Sequence, residues 1–458
     1  MTKRNNSNSS SRRTFLQDSS KLAVAGAAAS SLLAAQPAVA RTAYAGGSDT
    51  IRLGLVGSGG RGTGAAVQAM NTKSGNVELV AMADAFPKRL EDALATCSKK
   101  HQGKVVVPEN KRHIGFDGYK RVMDDKDVDM VILATPPGFR PLHFEAAVNA
   151  NKHVFMEKPV AVDAPGVRRV LKAGKLAEQK GLAVAVGLQR RHEQAYRETI
   201  AELQNGIIGD LIHSRVYWNG GGVWTNPREA GQTEMEYQMK NWYYFNWLCG
   251  DHITEQHIHN LDVTNWLLGD FPVQAQGMGG RQVRIGEDTG QIYDHHAVEY
   301  TYANGHILLS QCRHQRGTWT SVSEHVHGSK GYANISKGKI YDKEEKLIFE
   351  TKGSRGGHQQ EHHDLFADIR EGKIPNETEY GAKSTMTAIL GRMATYTGKE
   401  LLWKDAIESK ISLCNVDDLK NFDSEAPVQP DTNGDYPIAI PGKKVQLVAE
   451  WLKKKRRR

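Results

Sequence analysis

A short apolar run that leads directly into a glycine-rich turn constrains the fold of this chain more than any other feature. Residues 51–56, Ile-Arg-Leu-Gly-Leu-Val, predict a buried strand. The run continues into Gly57-Ser58-Gly59-Gly60-Arg61-Gly62, then a helical stretch at 64–72 and a second strand at 77–83 that ends at Asp84. Strand, glycines, helix, strand and acid in this order predict a βαβ unit.

Each part of this unit has a physical role in binding a dinucleotide. Gly57 allows the tight turn, Gly59 lets the backbone approach a pyrophosphate, and Gly62 lets helix and strand pack closely. The N-terminus of the following helix offers free N–H groups and the positive end of its dipole to the phosphates. The carboxylate of Asp84 can accept hydrogen bonds from the adenosine ribose and repels a 2′-phosphate, so the sequence favours NAD over NADP.

The alternation of strands and helices continues to about residue 187. Strands are predicted at 128–134, 153–156 and 182–186, with helices at 140–150 and 164–180. Parallel strands joined by helices form a doubly wound α/β sheet, and its ligands lie at the carboxyl ends of the strands. The predicted cofactor-binding residues at this edge are Gly57, Ser58, Gly59, Gly60, Arg61, Gly62, Asp84, Thr135, Pro136, Glu157 and Lys158.

Charge and cysteine content argue against several other classes of protein. The net charge is +8, but residues 1–40 carry +4 and the last six residues +6, so the body is close to neutral. Charge confined to the tails argues against a nucleic-acid-binding face. The cysteines have no C-x-x-C spacing, so we expect no metal site, and their disulfide state stays open. They are Cys97, Cys249, Cys312 and Cys414.

The first 45 residues predict a twin-arginine export signal. Ser11-Arg12-Arg13-Thr14-Phe15-Leu16 is followed by an alanine-rich apolar run at 22–35 and by the cleavage-site pattern Ala38-Val39-Ala40. An amphipathic or disordered N-terminus is the alternative. Because the twin-arginine translocase carries folded proteins, this route suits a chain that binds its nucleotide tightly before export. We therefore expect a periplasmic protein.

The glycine motif combined with Glu157-Lys158-Pro159 at a later strand end resembles the Gfo/Idh/MocA oxidoreductases. That family includes glucose–fructose oxidoreductase and inositol dehydrogenase, and the resemblance covers roughly residues 50–400. It implies that Lys158 approaches the nicotinamide and the reacting hydroxyl. The second signature of the family, Asp-x-x-x-His, corresponds to Glu255-x-x-x-His259, with glutamate for aspartate and with His257 where glycine is common.

Lys158, Glu255, His257 and His259 are therefore the candidate catalytic residues. Oxidation of a secondary alcohol requires removal of the hydroxyl proton as hydride leaves carbon, and histidine titrates in the useful range. A nearby lysine stabilises the developing alkoxide. Glu255 and His259 would share one face of a helix, where the carboxylate could orient the imidazole. Alternatively, the histidines only begin a polar helix.

The second half of the chain predicts an α+β domain with an open, mostly antiparallel sheet. Strands are predicted at 212–218, 273–278, 295–302, 306–313 and 333–335, several with the alternation of half-exposed strands. The predicted domains are the export signal at 1–45, a Rossmann domain at 50–187, a substrate-binding domain at 188–405 and a C-terminal extension with a basic tail at 406–458. The family resemblance implies that such sheets pair between subunits, so we expect a homo-oligomer.

Aromatic and basic residues beyond residue 187 indicate a carbohydrate site. Segment 217–247 is dense in aromatic rings, among them Trp242 and Tyr243, which could stack on sugars or equally build a core or an interface. Arg190 or Arg191 could reach a substrate or form a structural ion pair. Gly356-Gly357-His358 is faintly similar to a lid element of NAD-dependent glycosidases, although His358 could simply cap a helix.

Together these features predict an NAD-dependent oxidoreductase that oxidises a secondary hydroxyl of a sugar, cyclitol or glycoside. One alternative is a glycosidase that oxidises its substrate transiently, eliminates across the glycosidic bond and then returns the hydride. A non-catalytic, exported sugar-binding scaffold is another. The intact Gly57, Lys158 and His259 argue against the scaffold, whereas net NADH accumulation would separate the two enzymes.

Overall fold

A six-stranded parallel sheet forms the first layer of the fold. The computed structural model describes residues 49–443, without the side chain of Glu287. The strands are β1 (Ile51–Val56), β2 (Val77–Asp84), β3 (Arg112–Ile114), β4 (Met130–Leu133), β5 (His153–Met156) and β6 (Val184–Val186). Their spatial order is β3-β2-β1-β4-β5-β6. The order reverses between β1 and β4, which opens a crevice at the carboxyl ends of these strands.

Helices connect these strands and cover the sheet. They are α1 (Gly60–Met70), α2 (Pro87–Lys100), α3 (Gly118–Asp124), α4 (Arg140–Asn149) and α5 (Ala164–Gln179). The predicted doubly wound sheet is confirmed. Helix α1 begins at Gly60 rather than at residue 64, because the last glycines of the turn already form its first turn.

A nine-stranded mixed sheet forms the second layer, and the predicted mostly antiparallel sheet is confirmed. Its strands are β7 (Leu211–Gly220), β8 (Pro272–Gly280), β9 (His295–Tyr302), β10 (Ile307–His314), β11 (Ser321–Gly328), β12 (Gly331–Asn334), β13 (Lys339–Asp342), β14 (Leu347–Glu350) and β15 (Leu401–Leu402). Their order is β14-β13-β12-β11-β7-β10-β9-β8-β15, and β7 and β10 are parallel neighbours. Sequence analysis missed β11, whose Ser-Val-Ser-Glu-His-Val-His sequence carries few apolar residues.

Helices of the second half pack on both layers. They are α6 (Gln194–Gln204), α7 (Glu234–Lys240), α8 (Asn246–Cys249), α9 (His252–Glu255), α10 (Ile258–Leu268), α11 (Gly357–Arg370), α12 (Thr378–Thr397) and α13 (Trp403–Ile407). Short 3-10 helices occur at Glu109–Lys111, Pro137–Phe139, Gln189–His192, Trp242–Tyr244, Glu287–Thr289, Ile335–Lys337 and Val416–Asp418. Although α11 lies within residues 188–405, its Leu365 and Phe366 join the core formed by β1 of the first sheet.

An irregular segment after α13 returns to the first layer. We call residues 408–443 the C-terminal strap. The backbone N–H of Leu413 donates to Asp163 Oδ2 at 2.8 Å, and Arg169 pairs with Asp417 at 2.8 Å. Within the described part of the chain no helix is long and apolar enough to cross a membrane, and all four cysteines are free. The twin-arginine pattern lies outside the described residues.

Helix α12 contacts the second sheet so closely that one of its positions requires glycine. A Cβ at Gly391 would overlap the hydroxyl oxygen of Tyr300 and lie 3.1 Å from Ile253 Cδ1. The Tyr300 hydroxyl is buried and has no hydrogen-bond partner in the described structure. Removing this oxygen would therefore make room for the added methyl group.

We expect Gly391→Ala to lower the free energy of unfolding by about 1–3 kcal/mol, because overpacking outweighs the higher helix propensity of alanine. Urea denaturation of the purified chain measures this change. The control is Gly64→Ala in α1, where the nearest atom would be 3.8 Å away and no loss is expected. Adding Tyr300→Phe to Gly391→Ala should restore part of the stability; a double variant no more stable than Gly391→Ala would contradict the steric explanation.

Candidate active site at the carboxyl edge of the parallel sheet

The glycine turn after β1 leaves open space at the N-terminus of α1. Gly57 has a φ of +95°, and a Cβ there would lie 2.5 Å from the backbone nitrogen of Thr135. A Cβ at Gly62 would overlap the carbonyl oxygen of Gly57, whereas Gly59 and Gly60 have no atom within 4 Å of that position. No side chain caps α1. The free N–H groups therefore face a space in which the phosphates of a dinucleotide fit.

Asp84 stands at the end of β2, beside this turn. Its Oδ2 accepts from the Ser58 N–H at 2.6 Å and its Oδ1 from the Phe86 N–H at 2.9 Å, while burial raises the pKa of the carboxyl. A cavity adjoins this carboxylate, on the side where the adenosine of a dinucleotide lies in such folds. It is lined by Val56, Ala83, Asp84, Ala85, Gly115, Phe116, Tyr119, Thr135, Pro136, Phe139, His143 and Met239. These residues fit the predicted nucleotide.

Two other predicted cofactor residues are paired with each other. Arg61 donates to the carboxylate of Glu157, and its second nitrogen donates to Glu361 Oε1 of α11 at 3.0 Å. The Thr135 hydroxyl lies 3.0 Å from His143 Nδ1. Arg61 and Glu157 thus form an ion-pair network that joins the glycine turn, the end of β5 and α11, instead of presenting free charges to a ligand.

Lys158 and Glu255 form a buried ion pair between the two layers. The Lys158 ammonium donates to Glu255 Oε1 at 2.9 Å and to its carbonyl oxygen at 2.7 Å, and the side chains are only 14% and 11% exposed. Glu255 is the last residue of α9, and α10 begins only at Ile258. The prediction that Glu255 and His259 share one helix is therefore wrong, and the carboxylate holds Lys158 rather than the imidazole.

His259 lies near this lysine, on the first turn of α10. Its ring stacks on Trp218 of β7, with centroids 5.9 Å apart. Burial, reinforced by the positive charge of Lys158, holds the pKa of His259 well below its ordinary value of 6.5. In the described structure its Nδ1 is buried and has no hydrogen-bond partner. A neutral imidazole can accept a proton from a substrate hydroxyl.

His257 does not join this group. Its side chain is completely buried, and its Nε2 lies 2.7 Å from the Ser310 hydroxyl in the middle of β10. The break between α9 and α10 turns it toward the second sheet, whereas His259 remains near Lys158. The structure thus gives His257 a contact with the second sheet, and its part in catalysis stays a prediction.

Both arginines proposed as substrate contacts form internal ion pairs. Arg190 donates to the buried carboxylate of Glu324 on β11. Arg191 donates to both carboxylate oxygens of Asp262, with distances of 2.8–3.2 Å, and stacks 4.0 Å above the Tyr380 ring. The ion-pair alternative is thus the observed one for both residues, and neither guanidinium is free to bind a substrate.

The aromatic segment contributes largely to the core, with two tryptophans nearer to solvent. Tyr243 is buried, stacks on His314 with centroids 5.9 Å apart, and has a pKa held well above 10 by burial and by the Glu255 carboxylate. Trp242 is half-buried and packs 5.9 Å from Trp224, which is 47% exposed. Tyr243 therefore belongs to the core near Glu255, while Trp242 and Trp224 lie nearer to solvent.

His358 is a site residue that the sequence analysis noted without assigning it to the active site. It lies in the first turn of α11, is exposed, and has a pKa lowered by partial burial and by the charges of Arg61 and Lys158. Its helix also carries Glu361, the partner of Arg61, so His358 lies on an element that contacts the glycine turn. The signal in the sequence was the Gly-Gly-His pattern immediately before a helix.

A second buried cluster fixes the loop that carries Glu255. Asp251 has a φ of +73°, and its Oδ2 accepts from Tyr396 at 2.5 Å and lies 3.3 Å from His296 Nε2. Burial alone would raise the pKa of Asp251, but His296 and His252 hold it well below its usual range. In the described structure Asp251, His252 and His296 have a spacing that could hold a metal ion. Asp251 accepts hydrogen bonds from the backbone N–H of His252 and from Tyr396, whereas the Nε2 atoms of His252 and His296 are buried without a hydrogen-bond partner in the described structure.

Comparison with known proteins gives one family for both halves of the chain. A family model described as "Oxidoreductase family, NAD-binding Rossmann fold" matches residues 51–188. A second, described as "Oxidoreductase family, C-terminal alpha/beta domain", matches residues 201–389. The two matches cover the strands and helices that carry Lys158, Glu255 and His259.

Individual relatives agree with these matches. Inositol 2-dehydrogenase of Salmonella typhimurium is 31% identical over 48% of this chain and 55% of its own length, so the chain spans about half of that relative. Inositol 2-dehydrogenase of Rhizobium meliloti is 27% identical over 62% of this chain and 74% of its own length. The structure of levoglucosan dehydrogenase with NADH and levoglucosan has a TM-score of 0.62 at 16% identity, covering 77% of this chain and 99% of that one, which shows a shared fold.

The glycine turn, the Glu-Lys-Pro strand end and the two family matches lead to one assignment. The chain belongs to the Gfo/Idh/MocA oxidoreductase family, with an NAD-binding Rossmann domain followed by the C-terminal α/β domain of that family.

Proposed function

We propose that the protein oxidises a secondary hydroxyl group of a sugar or cyclitol and passes the hydride to NAD. The observation that carries this proposal is the Lys158–Glu255 ion pair, which lies beside neutral His259 at the carboxyl edge of the parallel sheet. The open N-terminus of α1 lies at the same edge, so a nucleotide bound there would reach the same cleft.

The three residues have separate roles in this reaction. When bound, NAD supplies the acceptor for the hydride. His259, whose imidazole is neutral, takes the hydroxyl proton. Lys158 stabilises the negative charge that develops on the substrate oxygen, and Glu255 holds the ammonium group in position from two oxygens.

The proposed substrate class rests on partly exposed aromatic rings and on the relatives. Trp224 and Trp242 lie near solvent, and sugars and cyclitols have C–H faces that stack on such rings. Two of the matched relatives are inositol 2-dehydrogenases, and a protein of the same fold binds levoglucosan. These are polyhydroxylated rings with secondary hydroxyls.

Removing the ammonium group should abolish turnover while leaving the nucleotide site intact. We expect Lys158→Met to lower kcat by about 10³-fold, because the developing alkoxide loses its positive partner. Since Glu255 would then be buried without a partner, Lys158→Met/Glu255→Gln is the better folded form of the same test. NADH formation, measured by absorbance with a panel of inositols and monosaccharides, gives the rates, and NADH fluorescence gives the affinity.

The control for this test is Lys88→Met, which breaks the exposed Lys88–Asp92 ion pair of α2 and should leave kcat unchanged. Turnover by the double variant at the rate of the unaltered protein would refute the proposed roles. A wild-type protein that binds no nucleotide would refute the proposed function as a whole.

We propose NAD rather than NADP as the cofactor, because Asp84 puts a carboxylate beside the adenosine cavity. Asp84→Asn should reduce the preference for NAD over NADP at least about tenfold, since a 2′-phosphate no longer meets a negative charge. Dissociation constants of both nucleotides, obtained by fluorescence titration, measure the ratio. The control Asp92→Asn removes an exposed carboxylate and should leave the ratio of the two dissociation constants unchanged. An unchanged ratio in Asp84→Asn would count against the proposed role of Asp84.

We also propose that the chain is exported through the twin-arginine translocase and forms a homo-oligomer. Arg12-Arg13 and the alanine-rich run support export, and the helix-free face of the nine-stranded sheet, with Met278 and Leu309 exposed, supports association. For export, Arg12→Lys/Arg13→Lys should leave the protein in the cytoplasmic fraction, and unchanged fractionation would reject this proposal. For the homo-oligomer, light scattering should give at least twice the chain mass, and the mass of a monomer would reject it.

A further inference from the structure

One aromatic side chain of the C-terminal strap packs against the wall of the nucleotide cavity. The ring of Phe422 lies 4.8 Å from that of Phe86 and 5.1 Å from that of Phe116, which it meets edge to face. Phe86 follows Asp84 by two residues, and its N–H holds one of the Asp84 oxygens. Phe116 lines the cavity itself. Phe422 therefore supports the cavity from outside, at the end nearest the ribose-binding carboxylate.

The strap is pinned to the body on both sides of this ring. Thr233 donates to the carbonyl oxygen of Phe422 at 2.7 Å, and Gln238 Nε2 donates to the carbonyl oxygen of Val428 at 2.6 Å. Before the ring, Asp417 pairs with Arg169 and Leu413 binds Asp163. The segment is thus held by helices α5 and α7 and by the residues that cap them, and moving Phe422 away would break several of these contacts.

The cavity that the strap supports has the chemistry of an adenosine site. Its walls include the aromatic side chains of Phe116 and Phe139 and the thioether of Met239, with the Asp84 carboxylate at one end. Flat apolar walls suit a purine ring, and a carboxylate suits the ribose hydroxyls. Residues 408–443 lie outside both family matches, which end at 188 and 389.

We propose that the C-terminal strap braces the adenosine end of the nucleotide site from outside and that Phe422 is the positioning residue that keeps Phe86 and Phe116 in place beside the adenine. A wall held in this way slows the dissociation of NAD. This inference rests on the proposed function, because it assumes that the chain binds NAD.

The test uses the full chain loaded with NADH. Dissociation is followed by the loss of bound-NADH fluorescence after addition of excess NAD. We expect Phe422→Ala to accelerate dissociation about tenfold, since two aromatic contacts are lost, and Phe422→Tyr to stay within about twofold of the unaltered rate. Ile438→Ala, an exposed position on the same strap, is the matched control and should leave the rate unchanged.

Two fragments of the nucleotide show whether Phe422 acts on the adenosine end alone or on the whole nucleotide site. The affinity for ADP-ribose should fall in Phe422→Ala by the same factor, whereas the affinity for nicotinamide mononucleotide should not change. Equal dissociation rates in Phe422→Ala and the unaltered chain would overturn the inference, as would an equal loss of affinity for both fragments. If the unaltered chain binds no NADH, the proposed function fails first, and the inference falls with it.

Discussion

The buried contact between Lys158 and Glu255 is the interaction on which the rest of the site depends. Its two charges come from different layers, one from the end of β5 and the other from the end of α9, and water reaches neither side chain well. Breaking such a pair from one side costs about 3–5 kcal/mol, because the remaining charge stays buried without a partner. The two layers are therefore held in one relative position, and that position puts His259 within the electrostatic influence of Lys158.

Other charges near the cleft serve the same geometry. Glu157 and Glu361 hold Arg61, and Asp262 holds Arg191, so these groups fix α11 and α10 rather than meet a ligand. This division explains why a cleft with many ionisable residues has few that are free to react. Charges that are fixed before a substrate arrives also need no reorganisation when the reaction begins.

The sequence predicted the parts of this protein that depend on neighbours along the chain. The turn at Gly57 and the carboxylate at Asp84 belong to one local unit, so their spacing was sufficient to predict the first sheet. The partner of Glu255 could not be predicted, because it depends on a helix break at Gln256 and on a lysine from another layer. Arg190 and Arg191 posed the same difficulty, since Glu324 and Asp262 become their neighbours only after folding.

The path of the C-terminal strap affects how the molecule is assembled during synthesis. Phe86 belongs to the part of the chain that the ribosome makes early, whereas Phe422 leaves it near the end. The surface around Phe86 and Phe116 must therefore stay uncovered throughout most of translation, even if the first sheet has already formed. Completion of this surface is a late event of biogenesis, and a chain that stops short of the strap leaves an aromatic surface exposed to solvent.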